Sequence, residues 1–395
     1  MDPRTNPYAP GAGSQPPELA GRGPILEAVS ITLDRMRAGL HARSAMLLGL
    51  RGVGKTVLLS RMELDAEANG FATVMVEAPE ERSLPSLLIP HLRAALLKLD
   101  RASAAGGLVK RAIRALGSFV SGMKVTYTDI EFSFDLGSEP GVADTGDLEV
   151  DLTSLLGALG EAAQERKTVL VLFIDELQYV PEEQLAALIM ALHRCSQRRL
   201  PVALVGAGLP QLAGQMGKAK SYAERLFEFR HISALPEGDA RQAIVAPAQR
   251  AGCQYNDDAV IEIVRQTEGY PYFLQEWGKH AWNIATGSPI TLEDVTHATT
   301  AALADLDASF FRVRLDRLSP AEKQYLRAMA ELGRGPHRSG DVATRLGRNV
   351  VSVAPTRAHL IRKGMIYSPG HGDTAFTVPL FDAFMRRTMP EFEVT

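Results

Sequence analysis

Between Gly49 and Thr56 the chain reads GLRGVGKT, which fits G-x-x-x-x-G-K-[ST]. Glycines at this spacing let the backbone curl until successive N–H groups converge, and together with the N-terminus of a following helix they cradle a triphosphate. Gly49, Gly52, Val53 and Gly54 provide that backbone. Lys55 reaches the β and γ phosphates, and Thr56 offers its hydroxyl to Mg²⁺, a hard ion that keeps most of its waters and needs few protein oxygens. ATP and Mg²⁺ are the cofactors this loop calls for.

A second group suggests what is done with the nucleotide. The run TVLVLFI, 168–174, is apolar throughout, as in a strand buried on both faces, and it ends in Asp175-Glu176. An acid at that strand end holds the water shell of Mg²⁺ beside Thr56, and a Glu directly after it can polarise the attacking water. The pair Asp175-Glu176 therefore favours ATP hydrolysis, with Glu176 and Lys55 as the catalytic candidates. The alternative for Glu176 is a carboxylate favoured by a helix N-terminal dipole. No Asn-Lys-x-Asp sequence for reading guanine is present.

The elements that must position these residues follow from periodicity. Ala45–Leu48 precedes the loop as a strand, and 57–62 follows it as a helix. Phe71–Val76 is a second strand, and Leu84, Leu87, Leu88, Leu92, Leu96 and Leu97 recur at helical spacing. This alternation predicts an α/β fold, a doubly wound parallel sheet of P-loop NTPase type. Residues 1–19, with five prolines, read as an extended arm, and 20–235 as the ATPase core. An insertion at about 100–150 interrupts that core. Within it, Val109–Met123 reads as a helix, Val125–Leu136 alternates like one or two half-buried strands, and the acidic stretch Glu139–Asp151 reads as a solvated loop or, alternatively, a site for a basic protein partner. After Glu176 come a helix (Leu185, Leu188, Ile189, Leu192) and a buried strand, Pro201–Val205. That strand is followed by Leu209-Pro210-Gln211 rather than a polar phosphate sensor. Glu224–Arg230 reads as the end of a helix, with a short strand at His231-Ile232.

Composition narrows the class. The 395 residues are 46% hydrophobic with a net charge of −3, which by itself indicates neither nucleic acid nor membrane. The distribution is uneven: residues 312–395 hold fourteen Lys/Arg against eight Asp/Glu, about +6, leaving about −9 for the remainder. Cys195 and Cys253 have no ligand spacing and suit a reducing cytoplasm. No apolar leader or span suggests secretion or a membrane.

With these pieces placed, the chain resembles the AAA+/STAND superfamily of P-loop ATPases (ASCE type), especially the origin-recognition-like and archaeal-type branch joined to a winged helix. Gly49–Thr56 and Asp175-Glu176 match its Walker A and Walker B motifs. Gly21-Arg22 resembles the family's opening motif beside the adenine, Gly208–Leu212 the segment after the sensor strand, and Gly269-Tyr270-Pro271 the lid motif whose Pro lies against nucleotide. The resemblance implies a helical lid at 236–310. Tyr272 stands where many relatives carry a lid Arg, which implies slow turnover or a nucleotide-held switch. Arg225 or Arg230 would be an arginine finger if the chain forms a homo-oligomer; the alternative for either is a salt bridge with Glu224 or Glu228.

Residues 311–395 read as a winged helix-turn-helix domain. Ser319, Pro320 and Glu322 make a capping box, Ser339 caps a second helix, and a third runs from about Asn349 to Lys363, with Pro355 expected to kink or delay it. A hairpin around Ser368–Asp373 completes the motif. Arg348, Arg357, Arg362 and Lys363, with Asn349 and Thr356, are the candidates for contacting double-stranded DNA. The function expected is an ATP-dependent switch coupled to DNA. The alternative is a signalling or scaffold ATPase whose winged helix and acidic insertion bind protein.

Overall fold

The computed structural model describes residues 1–11, 13–78, 82–101, 107–127 and 141–392. Five parallel strands form the central sheet: β1 (Ser44–Leu48), β2 (Ala72–Glu77), β3 (Leu170–Asp175), β4 (Val202–Gly208) and β5 (Phe227–His231), in spatial order β2-β3-β4-β1-β5. The strands β1, β3 and β4 are buried along their whole length, which is why their sequences are continuous apolar runs. Their pleat sends alternate residues to opposite faces. Ala45, Leu47, Val171 and Phe173 pack against α1 (Gly23–Arg37) and α2 (Lys55–Ala68). Met46, Leu48, Leu172 and Ile174 pack against a second layer: α3 (Leu84–Arg101), α4 (Gly107–Thr126), α5 (Leu148–Glu165), α6 (Glu182–Gln197), α7 (Leu212–Ala219) and short α8 (Ala223–Leu226). Leu48 lies level with Gly208, and Ile174 with Gly206, so the loops leaving β1, β3 and β4 open on one edge. That edge is where a doubly wound sheet places its ligand crevice.

Three expectations need correction here. Glu224–Arg230 is not the end of a helix, because only Ala223–Leu226 is helical and Phe227–His231 pairs with β1 as the outer strand. Phe227 is buried there while the residues after it are half-buried or exposed, the behaviour of an edge strand. The acidic stretch does not form a solvated loop to its end. Asp147 caps α5 by accepting from Val150 N–H, and Asp151 is fully buried, accepting from Thr145 N–H and Oγ1–H and from Gly146 N–H. The helix expected at Val109–Met123 is present as α4, but it continues through Thr126; the rest of the alternating segment, from residue 128, lies outside the described residues.

Beyond the sheet, α9 (Glu237–Arg250), α10 (Asp257–Thr267), α11 (Pro271–Ile284) and α12 (Leu292–Leu306) form a helical lid. A π-helical turn, Asp307–Phe311, and α13 (Arg312–Asp316) join it to α14 (Pro320–Glu331), α15 (Ser339–Arg345), α16 (Val350–Arg362) and α17 (Phe381–Thr388). Among these lie β6 (His337–Arg338), β7 (Ile366–Tyr367) and β8 (Asp373–Phe376), an antiparallel sheet in order β6-β8-β7, an arrangement consistent with a winged helix. The Ser319–Glu322 capping box forms as expected. Ser339 is not a cap, since it is the first residue of α15 and its hydroxyl donates to the Gly372 carbonyl. Pro355 does not delay α16: Asn349 caps the helix at Ser352 N–H, and the carbonyl left without a donor belongs to Val351, 82% exposed and open to water.

Lid and C-terminal helices share one apolar core. Tyr272 stacks on Phe310 (4.7 Å between centroids), Phe310 meets Phe311 edge-on (5.2 Å), and Phe311 stacks on Phe384 (5.1 Å). The N-terminal arm also joins this unit. Tyr8 is buried, its hydroxyl donates to the Ile244 carbonyl, and its ring fills the space over Gly278, where a Cβ would lie 2.6 Å from it. Trp282 Nε1–H donates to the Asp2 carbonyl, and Asn6 Nδ2–H to that of Lys279. Among the described residues no helix is long and apolar enough to cross a membrane.

Candidate nucleotide site

The loop from β1 to α2 curls as its glycines require. Gly49 N–H donates to the Gly208 carbonyl, and a Cβ at Gly49 would come 2.2 Å from the Ile232 carbonyl oxygen. Gly52 and Gly54 have φ of 82° and 90°, left-handed values that side chains resist, and α2 starts at once with Lys55. The buried Lys55 ammonium donates to the carbonyls of Gly49 (3.0 Å) and Leu50 (2.9 Å). Burial pulls its pKa down, against the opposing pull of Glu176 and Asp175.

Thr56 Oγ1 donates to Asp175 Oδ2 at 2.5 Å, so the two proposed metal ligands are already together. Burial raises the Asp175 pKa, the Thr56 hydrogen bond opposes that, and Glu176 adds to it. Glu77, at the end of β2, is also raised, by partial burial and then by Asp175 and Glu176. Carboxylates held in this way are short of counter-charge, so these oxygens suit Mg²⁺ brought in with phosphates. When bound, the ion would neutralise phosphate charge. Among the described residues no His/Cys/Asp/Glu cluster could hold a metal by itself.

Glu176 sits at φ 53°, a left-handed value at the end of a buried strand, the kind of strain that accumulates at functional positions. Its side chain caps no helix; it accepts from Gln178 Nε2–H and lies 3.7 Å from Arg51 Nη1. Glu176 does stand at the N-cap of the 3-10 turn Leu177–Tyr179, without a side-chain capping hydrogen bond. Gln178 Oε1 accepts in turn from Leu209 N–H (3.0 Å), tying the acid to the end of β4, where the sequence offered no polar sensor.

A cavity of about 480 Å³ gathers most of the sequence candidates: Arg22, Gly52, Val53, Gly54, Lys55, Thr56, Glu176 and Pro271 all line it. Gly49, Gly21 and Asp175 are not among the residues that line it. Gly21, at φ 68°, leaves room for Asp239, which a Cβ would approach within 2.4 Å. Arg22 donates to the carbonyls of Val53 (3.2 Å) and Ser233 (2.7 Å), clamping the loop in place. Pro271 is the first residue of α11, and Tyr272 N–H donates to the Gly52 carbonyl (3.1 Å). Gly11, Gly13 and Ser14 of the arm also line the cavity, and a Cβ at Gly13 would lie 3.5 Å from the Thr56 methyl.

Other candidates lie elsewhere. Arg225 is exposed on α8, away from this cavity, and Arg230 pairs with Glu228 (2.8 Å). In the C-terminal domain two of the four proposed DNA contacts are engaged internally. Arg357 donates to Thr374 Oγ1, Ser368 Oγ and the Asp373 carbonyl, holding the hairpin to α16. Lys363 pairs with Glu322 (2.7 Å) and donates to the Arg317 carbonyl. Asn349 caps α16, and Thr356 is half-buried. Arg348 and Arg362 are exposed and form no ion pair among the described residues. Sequence reasoning missed Arg51, Glu77, Gln178 and Arg314. Arg51 occupies a free position of the loop motif, Glu77 ends a strand, and nothing in the sequence marks the other two.

Residues 18–205 match the family described as AAA ATPase domain, and 308–385 match one described as domain of unknown function (DUF8462). Among solved structures, the Walker-type ATPase of Pyrococcus abyssi is similar with a TM-score of 0.61 at 14% identity, covering 94% of this chain and 97% of that one. The Orc1 protein of Aeropyrum pernix, solved in complex with DNA, gives 0.45 at 15% identity over 94% of each chain. The RuvB Holliday junction branch migration motor of Thermotoga maritima gives 0.46 at 14% identity, over 95% of this chain and 96% of that one. No curated protein matches the chain. A matched ATPase domain, a sheet of the expected kind and a P-loop facing Asp175-Glu176 agree, and residues 18–205 form a AAA ATPase domain with a nucleotide-binding P-loop.

Proposed function

We propose that this ATPase is a nucleotide-held switch: ATP with Mg²⁺ fixes the lid and C-terminal domain against the P-loop, and hydrolysis directed by Glu176 releases them. The observation that carries this reading is where the C-terminal domain rests. Arg51 N–H, at the tip of the P-loop, donates to the Thr377 carbonyl (3.0 Å). Gly364, at φ 63°, packs so closely that a Cβ would lie 2.8 Å from the Tyr179 hydroxyl and 2.9 Å from Arg51 Nη2. The loop that must rearrange around phosphates is the floor on which lid and C-terminal domain stand.

The output of the switch, in the expected form, is duplex DNA gripped through Arg348 and Arg362. Two phosphate contacts give a shallow salt dependence, with a slope of about −2 in log–log terms. A second reading is favoured by the outward face of α16, where Val350, Val351, Ala354, Pro355 and Ala358 are all exposed. Such a face suits a protein partner better than a phosphate backbone. In an oligomer the exposed Arg225 would serve a neighbour's site. The buried thiols Cys195 and Cys253 agree with a cytoplasmic setting.

Duplex binding with ATP at two salt concentrations, for wild type, Glu176→Gln and an Arg348→Ala/Arg362→Ala double variant, tests the output. Salt-sensitive binding that is stronger in Glu176→Gln and absent from the double variant assigns DNA. ATP binding without DNA affinity assigns the output to protein.

A further inference from the structure

Tyr272 of the lid lines the cavity, and a cation reaches the same cavity from further along the chain. Arg314, on α13, lines it together with Arg51, Lys55 and Glu176. The guanidinium stands 3.9 Å above the Phe310 ring and donates to the Phe310 carbonyl, and Phe310 stacks on Tyr272. No carboxylate pairs with Arg314 among the described residues, whereas Arg51 has Glu176. Burial, then the neighbouring Arg51, pull the Arg314 pKa down to about 10; Tyr272 opposes this and Arg317 adds to it. The group stays protonated at neutral pH, so the cavity holds a half-buried cation beside a like charge and in need of an anion.

Local backbone explains how it arrives there. The π-helical turn Asp307–Phe311 adds residues to one turn, a feature that recurs at functional sites. It turns Phe311 into the apolar core shared by lid and C-terminal domain, and α13 then presents Arg314 to the cavity.

We propose that Arg314 contacts the terminal phosphate of ATP within the same chain, so that the junction between lid and C-terminal domain distinguishes ATP from ADP. The inference rests on the P-loop cleft being the ATP site. It goes further by naming which residue reads the third phosphate and where that contact is transmitted. Arg314 lies three residues after Phe311, whose ring stacks on Phe384 of α17. A shift of the guanidinium toward phosphate therefore pulls on the element that anchors the C-terminal domain.

Equilibrium titration with ATPγS and with ADP, each with Mg²⁺, tests this on the full chain as wild type, Arg314→Ala, Arg314→Gln and Arg314→Lys. Loss of one charge-assisted hydrogen bond to phosphate should weaken ATPγS binding about tenfold in Arg314→Ala and Arg314→Gln while ADP affinity stays within about twofold. Arg314→Lys should recover part of the difference. Arg314→Gln keeps most of the side-chain bulk and serves if Arg314→Ala melts early. Equal weakening of both nucleotides, or no change in either, would overturn the proposal by leaving Arg314 a packing residue on Phe310. Failure of wild type to bind either nucleotide would remove the P-loop reading, and the inference with it.

Discussion

At the scale of single residues, the proposed roles divide between atoms that would hold phosphate and Glu176, which would direct water. Lys55 is the only ammonium lining the cavity among the described residues, so Lys55→Ala should lower ATP affinity about a hundredfold or more, read by titration. Unchanged affinity would refute the phosphate loop. Glu176→Gln keeps the size of the side chain but removes its basicity. Binding should remain within about twofold while turnover falls at least about a hundredfold, measured as phosphate release. Undiminished release would exclude Glu176 as the water-polarising group. The P-loop and Asp175-Glu176 were legible because a continuous stretch of backbone builds each one, so spacing in sequence equals spacing in space. Gln178 and Arg314 were not, since the first gains meaning only beside β4 and the second arrives from the far side of the lid. The internal partners of Arg357 and Lys363 were hidden for a related reason: a count of basic residues does not show that Thr374, Ser368 and Glu322 come to meet them.

At the scale of elements, the β1–α2 connection has no slack. A Cβ at Gly49 would meet the Ile232 carbonyl, which is backbone and unable to swing aside, as well as Val53 Cγ2 at 2.9 Å. Gly49→Ala should therefore cost about 2 kcal/mol of stability by urea melting and weaken nucleotide binding together with it. A variant with wild-type stability would show that the loop can shift. Buried strands were readable from apolar runs and most helices from their period, because burial on one or two faces writes that pattern directly. β5 escaped since Glu224–Arg230 carries alternation and helix-compatible residues at once, and only pairing with β1 decides between them. The start of α5 escaped because its acidic first turn resembles a loop until Asp147 and Asp151 are seen accepting backbone donors.

For the whole molecule, the boundary between lid and C-terminal domain is a division of sequence more than of packing. Phe311 is fully buried between them, so Phe311→Ala should cost about 3–5 kcal/mol. Hydrogen exchange should then quicken in α11 and α17 together. Faster exchange in α17 alone would mean that the two regions unfold separately. The unit built on that shared core meets the P-loop where Arg51 N–H donates to the Thr377 carbonyl. The arm adds a restraint of another kind. It is fastened to the lid at Asp2, Asn6 and Tyr8, and Gly11, Gly13 and Ser14 then run along the wall of the cavity past Thr56. The arm therefore walls the cleft beside Thr56. Tyr8→Ala should speed ADP release in stopped flow severalfold with little change in the chemical step. That outcome would make the arm, rather than the P-loop, what sets how long a nucleotide stays.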